Sequence, residues 1–144
     1  MRILHVNKYF DLHDGVDIYL HQVMRQQEVL GHEVHVLSTR DTKNMATPDA
    51  RYFVPRFDLR RSDGLIEDVE KAKRYLWNKQ AQGSMQEMIR DLRPDIIHLH
   101  NIYHHLSTSI LAPIREAGIP CVQTLHDYKL ACPNYRMFTE GAVC

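Results

Sequence analysis

Imidazole is the group this sequence concentrates where chemistry could be done. There are ten histidines in 144 residues, and His98, His100, His104, His105 and His126 stand where apolar runs give way to polar sequence. Such side chains could ligate a metal, hydrogen-bond a polar ligand or change charge near neutral pH. His98 and His100 form an H-x-H pair at the end of the run Ile96-Ile97-His98-Leu99. Alternation along a strand turns both rings to the same side, which suits two metal ligands and equally suits two histidines hydrogen-bonded in the interior. The neighbours do not favour a metal: no carboxylate follows at the spacing of metallohydrolases, and Asn101 is a poor ligand. His126, followed by Asp127, reads better as a neutral or switchable group that hydrogen-bonds a polar ligand.

A second kind of chemistry is implied near the N-terminus. The polar loop from Asn7 to Gly15 precedes helical spacing at Val16, Tyr19, Leu20, Val23, Met24 and Leu30. Gly15 therefore sits at a helix N-terminus, whose free N–H groups and dipole attract a phosphate or another oxyanion. The loop is neither G-x-G-x-x-G nor a Walker-type loop, so an ordinary turn glycine explains Gly15 equally well. Cys121, Cys132 and Cys144 have no convincing base beside them for nucleophilic work and are expected to be thiols in a reducing compartment. Cys144, in a C-terminal loop, is expected to be more accessible than Cys121 in its strand.

The elements that must position these groups follow from periodicity. Ile3, Leu4 and Val6 give a first strand, and the helix after Gly15 ends at Gly31, placed for a left-handed cap. Residues 33–39 give a second strand, and residues 51–55 a third, near an edge because Pro55 closes it. The turn-rich stretch 41–49 between them is expected to be mobile. From Asp63 to Asp91 the period is helical, with a break expected at Gly83-Ser84. The strand at 96–99 is buried on both faces. A helix capped by Ser107 or Ser109 and ended by Gly118 leads to a last strand over 120–125. Strands alternating with helices imply parallel pairing and right-handed crossovers. The fold class is α/β, a doubly wound, mainly parallel sheet with helices on both faces. Its carboxyl-end rim would gather the Asn7–Gly15 loop, the segment 98–105 and His126-Asp127.

Composition narrows the function classes. Eighteen basic and eighteen acidic residues cancel, with a pI near 7.2, so no charge argument favours nucleic acid. The N-terminal apolar run is too short for a signal peptide or a spanning helix, which points to the cytoplasm. Arg56, Arg60, Arg61, Lys71, Lys73 and Arg74 interleave with Phe57, Leu59, Tyr75 and Trp77. A solvated face is the leading reading of that cluster, with peripheral contact to the inner face of a membrane as the minor one.

Several stretches together resemble a known family. They are Met1 to Phe10, the loop into Gly15, Gly31-His32-Glu33-Val34-His35-Val36, Pro94 to Ser107 and, above all, His126-Asp127-Tyr128-Lys129-Leu130-Ala131-Cys132-Pro133-Asn134-Tyr135. In these the chain is similar to the N-terminal domain of retaining glycosyltransferases of family four. The resemblance implies a Rossmann-like half of a GT-B fold, with residues 1–144 forming the acceptor-side domain and the donor-binding domain absent from this chain. It aligns Gly15 with the second glycine of a Gly-Gly loop, Asp17 with the acidic residue two positions later, and His126 with the histidine that contacts the transferred sugar. Asp127 completes the His-Asp pair. Asp14 departs from the pattern by standing where the first glycine is usual, and Asp17 is one methylene shorter than the usual Glu.

The expected function follows from that resemblance. A complete enzyme would transfer a sugar from a nucleotide-diphosphate sugar to a glycan or lipid-linked acceptor, with retention, and this domain alone would be inactive. His126 is the candidate catalytic residue, and Asp14, Gly15, Asp17, Asn101 and Asp127 are the candidate substrate- or phosphate-binding residues. No cofactor is implied. The alternatives are half of a nucleotide-sugar epimerase or a non-catalytic ligand-binding module. Purified protein is expected to carry no stoichiometric zinc or manganese through His98, His100, His104 or His105. Elemental analysis finding about one metal per chain, lost in His100→Ala, would contradict this.

Overall fold

The computed structural model describes residues 1–58, 61–132 and 134–143, so the expectations for Arg60 and for the Cys144 thiol fall outside the described residues. The central sheet has four strands: β1 (Arg2–Val6), β2 (Glu33–Leu37), β5 (Ile96–Leu99) and β6 (Cys121–Gln123). Their order is β2-β1-β5-β6 and every pairing is parallel. The α/β class with a mainly parallel sheet is thus present as expected.

Alternation sorts the sheet residues onto two faces. Leu4, Val6, Leu37, Ile97 and Leu99 meet Ala81, Met85 and Met88 of helix α3 (Lys79–Leu92) and Ile114 of α4 (Leu111–Ala117), forming the larger core. On the other face Val36 packs with Leu20 and Met24 of α1 (Gly15–Val29), together with Phe10 and Phe53. Each fully buried aliphatic side chain of this kind contributes roughly 1.5–3 kcal/mol before entropy is counted. The α1 face also carries His5, which lies directly opposite His98 in the β1–β5 register.

Local chemistry explains the ends of these elements. Asp14 caps α1 through its carboxylate, which accepts from the Val16 and Asp17 amides. The expected left-handed stop is present, with Gly31 at φ +82°. The Gly31 amide donates to the Glu28 carbonyl at 2.9 Å and the His32 amide to the Gln27 carbonyl at 3.0 Å. This is a Schellman closure.

The structure corrects three local expectations. Residues 48–52 form a 3-10 helix and only Val54–Pro55 is strand (β4), paired with Thr39–Arg40 (β3). The Thr47 hydroxyl caps that turn, while the buried Asp49 carboxylate accepts from the Val36 amide. The stretch 41–49 is tied down by a hydrogen bond from Met45 to the Phe10 carbonyl and by the Arg56–Asp41 ion pair. The helical region breaks at Trp77-Asn78, between α2 (Leu65–Leu76) and α3, because Asn78 caps the second helix; Gly83 lies inside it. Cys121 is exposed on edge strand β6, whereas Cys132 is buried. Beyond these, Phe138–Thr139 (β7) and Ala142–Val143 (β8) form a short antiparallel hairpin.

Asn78 is a fully buried knot between layers. Its side-chain oxygen accepts from the Gln80 and Ala81 amides, its Nδ2 donates to the His105 carbonyl at 2.6 Å, and its own amide donates to the Ser107 hydroxyl at 3.0 Å. Asn78→Ala removes a helix cap and leaves the carbonyl of half-buried His105 without its donor. Urea denaturation should show a loss of about 2–4 kcal/mol; a loss under about 0.5 kcal/mol would mean the contacts are replaced by water.

Candidate functional site

At the carboxyl end of β1 one polar side chain, Asn7, joins two of the sequence-selected residues, Asp17 and Asn101. Its Nδ2 donates to the Asp17 carboxylate at 3.0 Å, and its Oδ1 accepts from the Asn101 amide at 3.2 Å. The Lys8 amide adds a 2.8 Å bond to the Asn101 carbonyl. Asn7, Asp17 and Asn101 are all buried. They form the floor that joins the first loop, α1 and the end of β5. Burial, with the Asp14 and Asp11 charges next, raises the Asp17 carboxyl to about 6.

Above this floor lies the rim. Gly15 starts α1 with open space where a Cβ would stand. The Asp14 carboxylate already takes the Val16 and Asp17 amides, at 2.9 and 3.2 Å. Among the described residues the Gly15 amide has no partner, so it is the free donor of this turn. Asp127 closes a turn by accepting from the Lys129 amide at 2.9 Å. His126 lies close enough to Asp14 and Asp127 for both charges to favour its protonation, although burial outweighs them and lowers its pKa.

Behind His126 runs a line of imidazoles. His126 and His100 meet at 3.0 Å, His100 and His5 at 3.1 Å, and His5 and the Gln27 side-chain oxygen at 2.7 Å. His98 pairs instead with the Thr124 hydroxyl at 2.7 Å. One ring nitrogen from each of His5, His98 and His100 lies within 4.8 Å of the other two, close enough for a shared cation. A cation held between His5 and His100 would have to displace the hydrogen bond that joins them, and the three imidazoles bring no negative charge to offset it. His104 and His105 stand apart from this line. His104 Nε2 meets Lys129 Nζ at 3.3 Å, and the His105 ring packs on Phe57 and Tyr9. Lys129 forms no ion pair among the described residues and borders a cleft of about 150 Å³ lined by Tyr75, Tyr103 and Thr108 among others.

A glycosyl transferase 4-like domain model matches residues 14–143. The chain belongs to that family. No curated protein matches it.

In this glycosyl transferase 4-like domain, His126, Asp127, Asp14 and Gly15 stand at the rim. Asp17 and Asn101 lie in the floor beneath them. Sequence reading did not find Asn7, His5, Gln27 or Tyr19, whose ring sits edge-on to His126 at 5.3 Å. His5 carried a signal, being a polar residue inside an otherwise apolar strand, but its neighbour depends on the β1–β5 register. No helix among the described residues is long and apolar enough to cross a membrane.

Burial gives the histidine line a pH signature. His5 is lowered from 6.5 to about 4, and His100 to about 3; burial is the largest cause in both, opposed in His5 by its Gln27 hydrogen bond. The folded state therefore keeps these rings neutral while the unfolded chain binds protons near 6.5. Their contribution to stability is complete above that pH and is lost as pH falls through about 4 and 3. Asp17 acts in the opposite direction, but it is one group against several. The urea midpoint should be flat from about pH 7 to 8 and fall steeply from about 6 to 4, with a smaller fall in His5→Gln. A midpoint that did not change over that acid range would contradict neutral burial.

Proposed function

We propose that this chain is the acceptor-side half of a glycosyltransferase of GT-B architecture. The complete enzyme moves a hexose or similar sugar from a nucleotide-diphosphate donor to a glycan or lipid-linked acceptor, with retention. The observation that carries this reading is that His126 and the N-terminus of α1 face one rim beyond the carboxyl ends of a parallel sheet, where ligands of such sheets bind. His126 hydrogen-bonds the transferred sugar, and the free Gly15 amide points to the donor side.

Asp14 shapes how the work is divided. Its carboxylate fills two amides of the α1 turn and adds negative charge beside them, which disfavours a diphosphate there. The donor phosphates are accordingly held mainly by the second domain, and this half supplies the sugar contact and the acceptor cleft. Lys129 gives that cleft a cation for an acidic or phosphorylated acceptor. The domain alone is inactive, because the donor is not pinned and water is not excluded.

In the complete enzyme, His126→Ala should lower turnover by about two orders of magnitude, as expected when a positioned polar group leaves a reacting centre. The thermal midpoint should barely move, since a rim side chain supports little core. Turnover within about threefold of the parent at saturating substrates would remove His126 from the reaction.

A further inference from the structure

We propose that Gln27, His5 and His100 are positioning residues that set the tautomer of His126, keeping its Nε2–H turned inward and presenting a bare Nδ1 to a hydroxyl group of the ligand. The role given to that hydroxyl rests on the glycosyltransferase reading, whereas the tautomer itself does not.

A neutral imidazole has one donor and one acceptor nitrogen. The Gln27 side-chain oxygen accepts at 2.7 Å, so the proton of His5 is on Nε2. His5 Nδ1 is then an acceptor, and His100 Nε2–H donates to it at 3.1 Å. His100 Nδ1 is left as an acceptor in turn, and His126 Nε2–H donates to it at 3.0 Å. The single proton of His126 is thereby used inside the protein. Its Nδ1 keeps a lone pair and makes no hydrogen bond among the described residues.

The geometry makes this line a unit. The His5–His100 and His100–His126 planes are inclined by only 20° and 24°, with centroids 5.4 and 5.3 Å apart. The facing nitrogens are far closer than the ring centres, so the rings meet edge to edge with donors aimed at in-plane lone pairs. Reversing one ring would set two N–H groups or two lone pairs against each other. His5 and His100 are fully buried, so water does not stand in for a missing partner. The line therefore reverses as a whole or not at all, and Gln27 decides which. Gln27 turns its side-chain oxygen to His5, and its backbone is fixed at the end of α1, where its main-chain carbonyl accepts from the His32 amide. His98 does not compete, being bonded to Thr124. Burial keeps His5 and His100 neutral, as the one-proton count requires.

A bare Nδ1 accepts from a sugar hydroxyl and repels a carbonyl or phosphate oxygen. It thus gives His126 a preference that its residue type alone does not.

The test uses the full-length protein labelled with ¹⁵N-histidine, with ring signals assigned by single His→Gln variants and tautomers read from long-range ¹H–¹⁵N correlations near pH 7.5. In the parent, His5, His100 and His126 should all be Nε2–H. Gln27→Leu removes the terminal acceptor, leaving a buried N–H unpaired, and should turn His126 to Nδ1–H. Gln27→Glu restores an acceptor, as a carboxylate does for a catalytic imidazole, and should restore the parent spectrum. Turnover should fall about tenfold in Gln27→Leu, less than on losing His126, and recover in Gln27→Glu. An Nδ1–H His126 in the parent, a His126 spectrum unmoved by Gln27→Leu, or metal-shifted His5 and His100 signals would each overturn the proposal. If Gln27→Leu does not fold, the parent and Gln27→Glu spectra decide it. Full turnover in His126→Ala, with the tautomer still following Gln27, would sink the sugar contact and leave the relay standing.

Discussion

Sealing imidazole rings between a parallel sheet and a helix is costly unless their nitrogens are answered, because an unpaired polar group costs more in the interior than a hydrogen bond returns. For His5 and His100 they are answered by pairing β1 with β5 so that His5 lies opposite His98, with His100 just beyond the strand. Rings from different strands come within bonding distance, and α1 lies over them with Gln27 at one end of the line and Tyr19 at the other. Much of the site's order follows from this. The sheet register sets the distances, the end of α1 anchors the terminal amide, and His126 completes the line where the chain leaves β6.

The two faces of the sheet consequently do different work. One is a conventional apolar core in which Leu4, Val6, Ile97 and Leu99 pack against α3 and α4. The other mixes a smaller apolar cluster with the histidines. Stability is concentrated on the first face. The second can then carry groups chosen for hydrogen bonding, whose neutrality is maintained by desolvation. Asn7 performs the corresponding task at the rim, where one side chain bonds both Asp17 and Asn101 and makes the floor continuous.

Asp14 shows how one side chain can alter a site's use. A helix N-terminus is an anion site only while its amides are free. With the carboxylate already seated on two of them, the turn is stabilised and its appetite for phosphate reduced, and Gly15 is left as the close-approach point. A glycine at the same position would stabilise the turn less and leave those amides open.

By itself the sequence determined the class of fold and the rim. Strand and helix periods, Gly31 and Gly118 as stops, and the His126-Asp127 and Gly15 positions were all legible because they depend on residues near one another in the chain. The third strand was misplaced because Asp49 is drawn to the Val36 amide, a contact no local pattern shows. The helix break was misplaced because Asn78 is held by the loop after β5 as well as by its own helix. Only the tertiary structure decided that Asp17 and Asn101 lie beneath the site, and that His5 joins His100. Those facts depend on strand register and on packing across some 95 residues of chain, where a shift of one position would have turned every ring to the opposite face.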